Sequence, residues 1–243
     1  MATFLTAEWR ALAMLNYHVD PGVLQPLVPH GTELDTFAGQ TFVSLVGFLF
    51  ANTRVLGVPI PAHRTFEEVN LRFYVRRRVG SETRRAVTFI KELVPRPLIA
   101  TVARLAYNEP YQSAPMRHTF DHVDETGTPR SVRYEWRAGR EWSGLQLEAT
   151  ALGTEPRIGS EEAFITEHYW GYTRQRDGAT VEYRVEHPRW RVWGASSARV
   201  FGDLAAVYGE TLGSIFSKPP TSAFIADGSP VRVGWPARLP LKA

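Results

Sequence analysis

Glu68, Asn70, Arg72 and Tyr74 stand at alternate positions, so a strand there would project four hydrogen-bonding groups from one face. Turned inward, Arg72 would be a fixed cation for a carboxylate or enolate, suited to bidentate binding, with Glu68 as counter-charge or general base. Turned to solvent, the same alternation describes only a half-buried antiparallel strand. A second group, Tyr107, Asn108, Glu109 and Tyr111, is set down where an apolar stretch of helical spacing (Leu98, Ile99, Val102, Ala103, Ala106) runs into Pro110. Proline stops a helix because its ring clashes and it lacks an N–H. Sites are often built at such element ends; the plainer reading is a helix-stop turn with Asn108 and Glu109 bonding local backbone. If buried, Glu109 would have a raised pKa and could act as a base, and Tyr111 could hydrogen-bond a ligand oxygen. His168, in the aromatic run 167–172 (EHYWGY), is a candidate acid/base or ligand donor, against core packing for its neighbours. The catalytic candidates are therefore Glu68, Glu109 and His168.

Other chemistries find little support. There is no cysteine, and the only lysines are Lys91, Lys218 and Lys242, which leaves amine chemistry few candidates. His118 and His122 lie four apart near Asp121 and Asp124, a zinc-like spacing on a helix, but the local pattern is that of a strand and no metal is expected. Arg76, Arg77 and Arg78 with Arg84 and Arg85 make a basic hairpin, read as a solvated tip rather than a phosphate patch. A net charge of +3 gives no reason to expect a nucleic-acid partner. There is no phosphate-binding glycine loop, nucleophile elbow or dinucleotide fingerprint, so no cofactor is expected. Glu8 and Arg10 interrupt the N-terminal apolar stretch, unlike a secretory signal, and the apolar run 42–51 is far shorter than the roughly 20 residues that span a bilayer. The expectation is a cytoplasmic protein without a membrane partner. Tryptophan and tyrosine on exposed strands would suit a homodimer.

The elements that must position these groups follow from the pattern. Residues 11–19 read as a strand, and Asp20 caps a short helix to about Leu27 with Pro21 at its first position. Gly39 turns between strands 32–37 and 41–53. Residues 66–78 alternate, with Val69, Leu71, Phe73 and Val75 on the apolar face, and pair with 84–93 across a hairpin. Strands 117–123, 132–137 and 145–151 follow, then a helix capped by Ser160. Strand 180–186, strand 190–201 and helix 203–216 come next. Residues 222–226 and 231–235 flank Asp227-Gly228 as a hairpin turn. About ten strands and a few short helices define an α+β, mostly β fold of barrel type, and their order excludes a doubly wound sheet. No repeat or linker divides residues 1–243, so one domain is expected.

Segments 66–75 (FEEVNLRFYV), 103–111 (ARLAYNEPY), 167–172 (EHYWGY) and 227–231 (DGSPV) resemble the YqjF-like proteins, a bacterial family of unknown function related to acetoacetate decarboxylase. The resemblance covers most of the chain and implies a closed or cone-like antiparallel β-barrel with its site inside. It carries the decarboxylases' site arginine onto Arg10 and their acidic residue onto Glu67 or Glu68. It matches the stretch Asp20 to Pro29 with their first strand–helix connection. Their catalytic stretch, arginine followed after five residues by Pro-Lys-Lys, falls on Arg104 and Pro110-Tyr111-Gln112. Both lysines are replaced, and neither tyrosine nor glutamine forms an imine. The expectation is a small-molecule-binding barrel with a polar and aromatic pocket built from Arg10, Glu68, Asn70, Arg72, Arg104, Tyr107 and Tyr111. Its ligand would be a small organic acid or keto compound, handled without Schiff-base decarboxylation. A barrel that kept its fold and lost its site, or a non-covalent acid/base enzyme, are the alternatives.

Overall fold

The computed structural model describes residues 2–60, 64–123, 127–149 and 152–239, with the side chains of Val102, Ala103, Leu105, Ala106 and His122 outside that description. The first half holds strands β1 (Thr3–Val19), β2 (Glu33–Leu34), β3 (Thr41–Val55), β4 (Val58–Pro59), β5 (Phe66–Val79), β6 (Glu82–Val94) and β7 (Tyr111–Ser113). Helix α1 (Pro21–Leu24) follows β1, and α2 (Pro97–Tyr107) lies between β6 and β7. The second half holds β8 (Met116–Val123), β9 (Pro129–Trp136), β10 (Ser143–Ala149), β11 (Trp170–Arg174) and β12 (Thr180–Glu186). It ends with β13 (Val192–Phe201), β14 (Ser222–Gly234) and β15 (Ala237–Leu239), with α3 (Glu161–Thr166) and α4 (Ala205–Gly213) between strands. Strand 145–151 was expected to run two residues further; Thr150 and Ala151 lie outside the described residues.

The strands form a continuous path, β12-β11-β6-β5-β3-β1-β14, and a further pairing of β12 with β14 brings its ends together in a ring. The path continues from β14 through β13, β10, β9 and β8. Most pairs are antiparallel; β6 pairs parallel with both β7 and β11. The β13–β8 strands cover the outside of the ring. Val132, Tyr134 and Trp136 of β9 share one apolar cluster with Leu71, Phe73 and Val75 of β5 and Leu45 of β3. The apolar face of β5 is therefore the outer one, dry because a second layer of sheet lies on it. Its polar face is also buried, and points into the ring: Glu68, Asn70 and Tyr74 are at most 2% exposed and Arg72 is 8% exposed. Among the described residues, no helix is long and apolar enough to cross a membrane.

The local expectations at helix ends hold. Asp20 accepts a hydrogen bond from Gly22 N–H and Pro21 opens α1; Ser160 accepts one from Ala163 N–H at the start of α3. The expected hairpin at Asp227-Gly228 does not form. β14 runs straight through, pairing with β1 on both sides, Arg10 opposite Gly228 and Leu12 opposite Ala226. Gly228 has φ 82° and Ala11 has φ 51°, and the register of β1 against β3 shifts between Arg10 and Ala13. The Asp-Gly pair supplies a left-handed backbone here to bend a paired strand rather than to reverse it. A Cβ on Gly228 would stand 2.1 Å from the Trp9 carbonyl oxygen. Gly228→Ala is expected to cost at least about 2 kcal/mol, measured by chemical denaturation; unchanged stability would refute the bend's dependence on glycine.

Candidate active site

Two strand irregularities determine which side chains enter the ring. In β1, Ala7 and Trp9 face inward, and beyond the bulge Leu12 and Met14 do. In β6, Val87 and Phe89 line the cavity; the register then skips one residue between Leu71–Lys91 and Arg72–Phe89, and Glu92 lines it next. One extra residue exchanges the two faces of a strand. The second bulge turns Glu92 inward and Lys91 away, where its Nζ donates to Gln112 Oε1 at 3.3 Å.

The cavity has a volume of about 180 Å³. Trp9, Phe48, Phe50, Phe66, Phe89 and Trp190 supply much of its apolar wall. Its floor carries three carboxyls from three elements. On β5, Glu68 accepts hydrogen bonds from Asn70 Nδ2 and from the Tyr111 hydroxyl, both at 3.0 Å. On β6, Glu92 stands opposite Asn70 on one side and Tyr111 on the other, and its Oε2 has no partner. Glu109, after α2, accepts from the Tyr183 hydroxyl and from Thr173 Oγ1 at 3.4 Å. Tyr183 has room because Gly171 lies opposite it in β11; a Cβ there would meet its ring at 2.2 Å.

Burial pushes Glu68 up to about 7. Glu109 is likewise pushed up to about 7, by burial first and then by the charge of Glu68. Burial, with Glu109 and Glu68 nearby, holds Glu92 well above the usual carboxylate range. Three carboxyls in one apolar cavity do not all ionise near neutrality. Arg72 donates to the Ile165 carbonyl at 3.2 Å and leaves its Nε unpartnered. His168 is 6% exposed, its ring 4.7 Å from that of Tyr74, and burial pushes it down to about 4, so it is neutral.

The structure thus brings Glu68, Asn70, Arg72, Tyr107, Glu109, Tyr111 and His168 to one cavity. Arg10 and Arg104 are not among its lining residues. With Trp9 inward, alternation sends Arg10 outward, where its Nη2 meets Glu8 at 2.6 Å; counting back from Leu12 without the bulge gives the opposite face. Arg104 is exposed on α2, where its Nε donates to the Ala100 carbonyl one turn back. The expected helix stop is real: Asn108 caps α2 with a left-handed φ of 55°, its N–H on the Arg104 carbonyl. Glu67 faces outward and meets His118 Nδ1 at 2.8 Å. Of the other members of that histidine group, Asp121 is exposed and the His122 side chain and Asp124 lie outside the described residues; among the described residues no group of three or more potential ligands is placed to hold a metal. The basic hairpin is neutralised at four of its arginines: Arg76 pairs with Glu33, Arg77 and Arg84 with Glu182, and Arg85 with Asp35. Glu92 was missed by sequence reasoning, because the hairpin register counted without the bulge sets Lys91 opposite Asn70.

The chain belongs to the DUF2071 family, described as an uncharacterized conserved protein, whose family model matches residues 6–230. It is 26% identical over 210 residues to the uncharacterized protein YqjF of Bacillus subtilis (strain 168), covering 84% of this chain and 81% of that one. Among solved structures it resembles acetoacetate decarboxylase from Legionella pneumophila, with TM-score 0.68, 12% identity and coverage of 98% of this chain and 88% of that one. It also resembles the enduracididine biosynthesis enzyme MppR complexed with pyruvate, with TM-score 0.69, 11% identity and coverage of 99% and 92%. A third is an acetoacetate decarboxylase-like enzyme from Sphingomonas wittichii RW1, at TM-score 0.64, 16% identity and coverage of 99% and 94%. The fold is that of the acetoacetate decarboxylase-like proteins.

A carboxyl whose folded pKa is raised above its unfolded value near 4.5 contributes stability that is full below pH 4.5 and is lost as pH rises through about 7. The neutral, buried His168 acts in the opposite direction below pH 6.5, so a difference between proteins isolates the carboxyls. Glu92→Gln is expected to melt higher than the parent at pH 8.5, by roughly 4 °C or more, with the gap shrinking towards pH 5. An equal gap at both pH values would show that the cluster is not strained by ionisation.

Proposed function

We propose that this protein is a small-molecule-binding barrel that performs acid/base chemistry, without a Schiff base, on a keto-type compound. The observation that carries this reading is the sharing of one cavity by Glu68, Glu92, Glu109 and Tyr111, with no lysine among the lining residues. An imine requires an unprotonated amine at the carbonyl carbon. Lys91 faces away from the cavity, Lys218 is exposed after the short 3₁₀ turn that follows α4, and Lys242 lies outside the described residues. The keto class is supported by the pyruvate named with MppR and by the decarboxylases of the same fold.

The carboxyls divide the work by their environments. Glu92, the more strongly held in its protonated form, takes no part in the proton transfer. Glu68 and Glu109, titrating near neutrality, supply a base for a proton on the carbon beside that carbonyl. Tyr111 and Arg72 stabilise the enolate oxygen that results. An apolar cavity that encloses unpaired acids speaks against a barrel kept only as a scaffold, because an apolar filling would be the more stable one.

The test is hydrogen–deuterium exchange at the α-carbon of acetoacetate and of propiophenone, followed by NMR. The parent protein is expected to accelerate exchange, and a Glu68→Gln, Glu109→Gln double variant to lose about 10²–10⁴-fold of that rate. Exchange that is no faster than in buffer would overturn the reading. Borohydride added with acetoacetate is expected to leave the protein mass unchanged; a covalent adduct would restore Schiff-base chemistry.

A further inference from the structure

The polar lining of the cavity is graded from one side to the other. Arg72 stands four residues along β5 from Glu68, about 13 Å of strand, with neutral His168 on its side of the cavity. Towards the other side come Glu68, then Tyr111 and Glu92, then Glu109 with Tyr183 and Tyr107. Charge does not balance along this line: three carboxyls face one guanidinium.

Hydrogen bonding is unbalanced in the same sense. At the acidic side, Glu92 Oε2 and Asn70 Oδ1 are buried acceptors without partners, on residues that are 1% and 2% exposed and stand opposite each other in the β5–β6 register. Towards the arginine, Arg72 Nε is a buried donor without a partner, and neutral His168 offers one further donor and one acceptor. A buried acceptor without a donor costs about 1–3 kcal/mol, more when charged. The missing complement is therefore a group that donates several hydrogen bonds and carries positive charge, joined to an acceptor a short distance away. Tyrosine rings beside the acids would favour the same cation.

Resting on the reading of this cavity as a ligand site, we infer that its ligand is a small organic ammonium compound bearing a carbonyl. The ammonium seats against Glu92 and Asn70, and the carbonyl oxygen is directed towards Arg72. Three N–H bonds of an ammonium match the two orphaned acceptors and one neighbouring carboxylate. The cation also supplies the charge that the carboxyls otherwise take up as protons.

Isothermal titration with propiophenone and with its isostere 2-amino-1-phenylethanone, in which an ammonium replaces the terminal methyl, separates the possibilities. The ammonium compound is expected to bind the parent protein at least tenfold more tightly than propiophenone. Glu92→Gln is expected to reduce that preference below threefold, read as the ratio of the two affinities within the variant; Glu109→Gln, read by the same ratio, serves should the first variant fail to fold. Propiophenone binding as tightly as the ammonium compound would overturn this inference and leave the ligand site standing. Binding of neither compound would remove both. A preference for the ammonium compound that survives both substitutions would place the cation elsewhere and refute the assignment.

Discussion

A β-strand shows its two faces with period two, so an added residue in one strand exchanges inside and outside for everything beyond it. This ring contains that exchange twice where it matters. The bulge at Ala11 keeps Trp9 and Leu12 on the same side and sends Arg10 out. The bulge near Ile90 keeps Phe89 and Glu92 on the same side and sends Lys91 out. Without the second, an amine and not a carboxyl would face Tyr111. The chemistry of the cavity rests on the phase of one strand.

The second feature is that both faces of β5 are buried for different reasons. Its apolar side chains lie beneath β9, while its polar ones look into the cavity. Burying three carboxyls together opposes folding, since each must be desolvated and repels the others when ionised. The ring tolerates this because hydroxyls and an amide from Tyr111, Tyr183, Thr173 and Asn70 partner two of the three. Glu92 is left incompletely satisfied. A fold selected for stability alone would place an apolar residue there.

Much of this was legible beforehand. The alternation of 66–78, the caps at Asp20 and Ser160, and the helix stop at Pro110 each depend on a few neighbouring residues, and each appears as expected. Asp227-Gly228 shows the limit of local reading. A left-handed glycine marks a departure from regular strand geometry, but whether it reverses the chain or bends it depends on the partner strand. Arg104 shows the same limit on a helix: its place before Pro110 is read from the sequence, while the helix leaves its side chain exposed.

The amino-acid sequence by itself determined the class of fold, the strand that carries Glu68, Asn70 and Arg72, and the scarcity of lysine. These follow from periodicity, side-chain chemistry and motif. Only the tertiary structure decided which face of β5 meets the cavity, and that Glu92 joins Glu68 and Glu109 there. It also excluded Arg10, Arg104 and Lys91. The reason is physical: a bulge is a property of two paired strands, created where their hydrogen-bond registers disagree, and one strand's residues do not contain it.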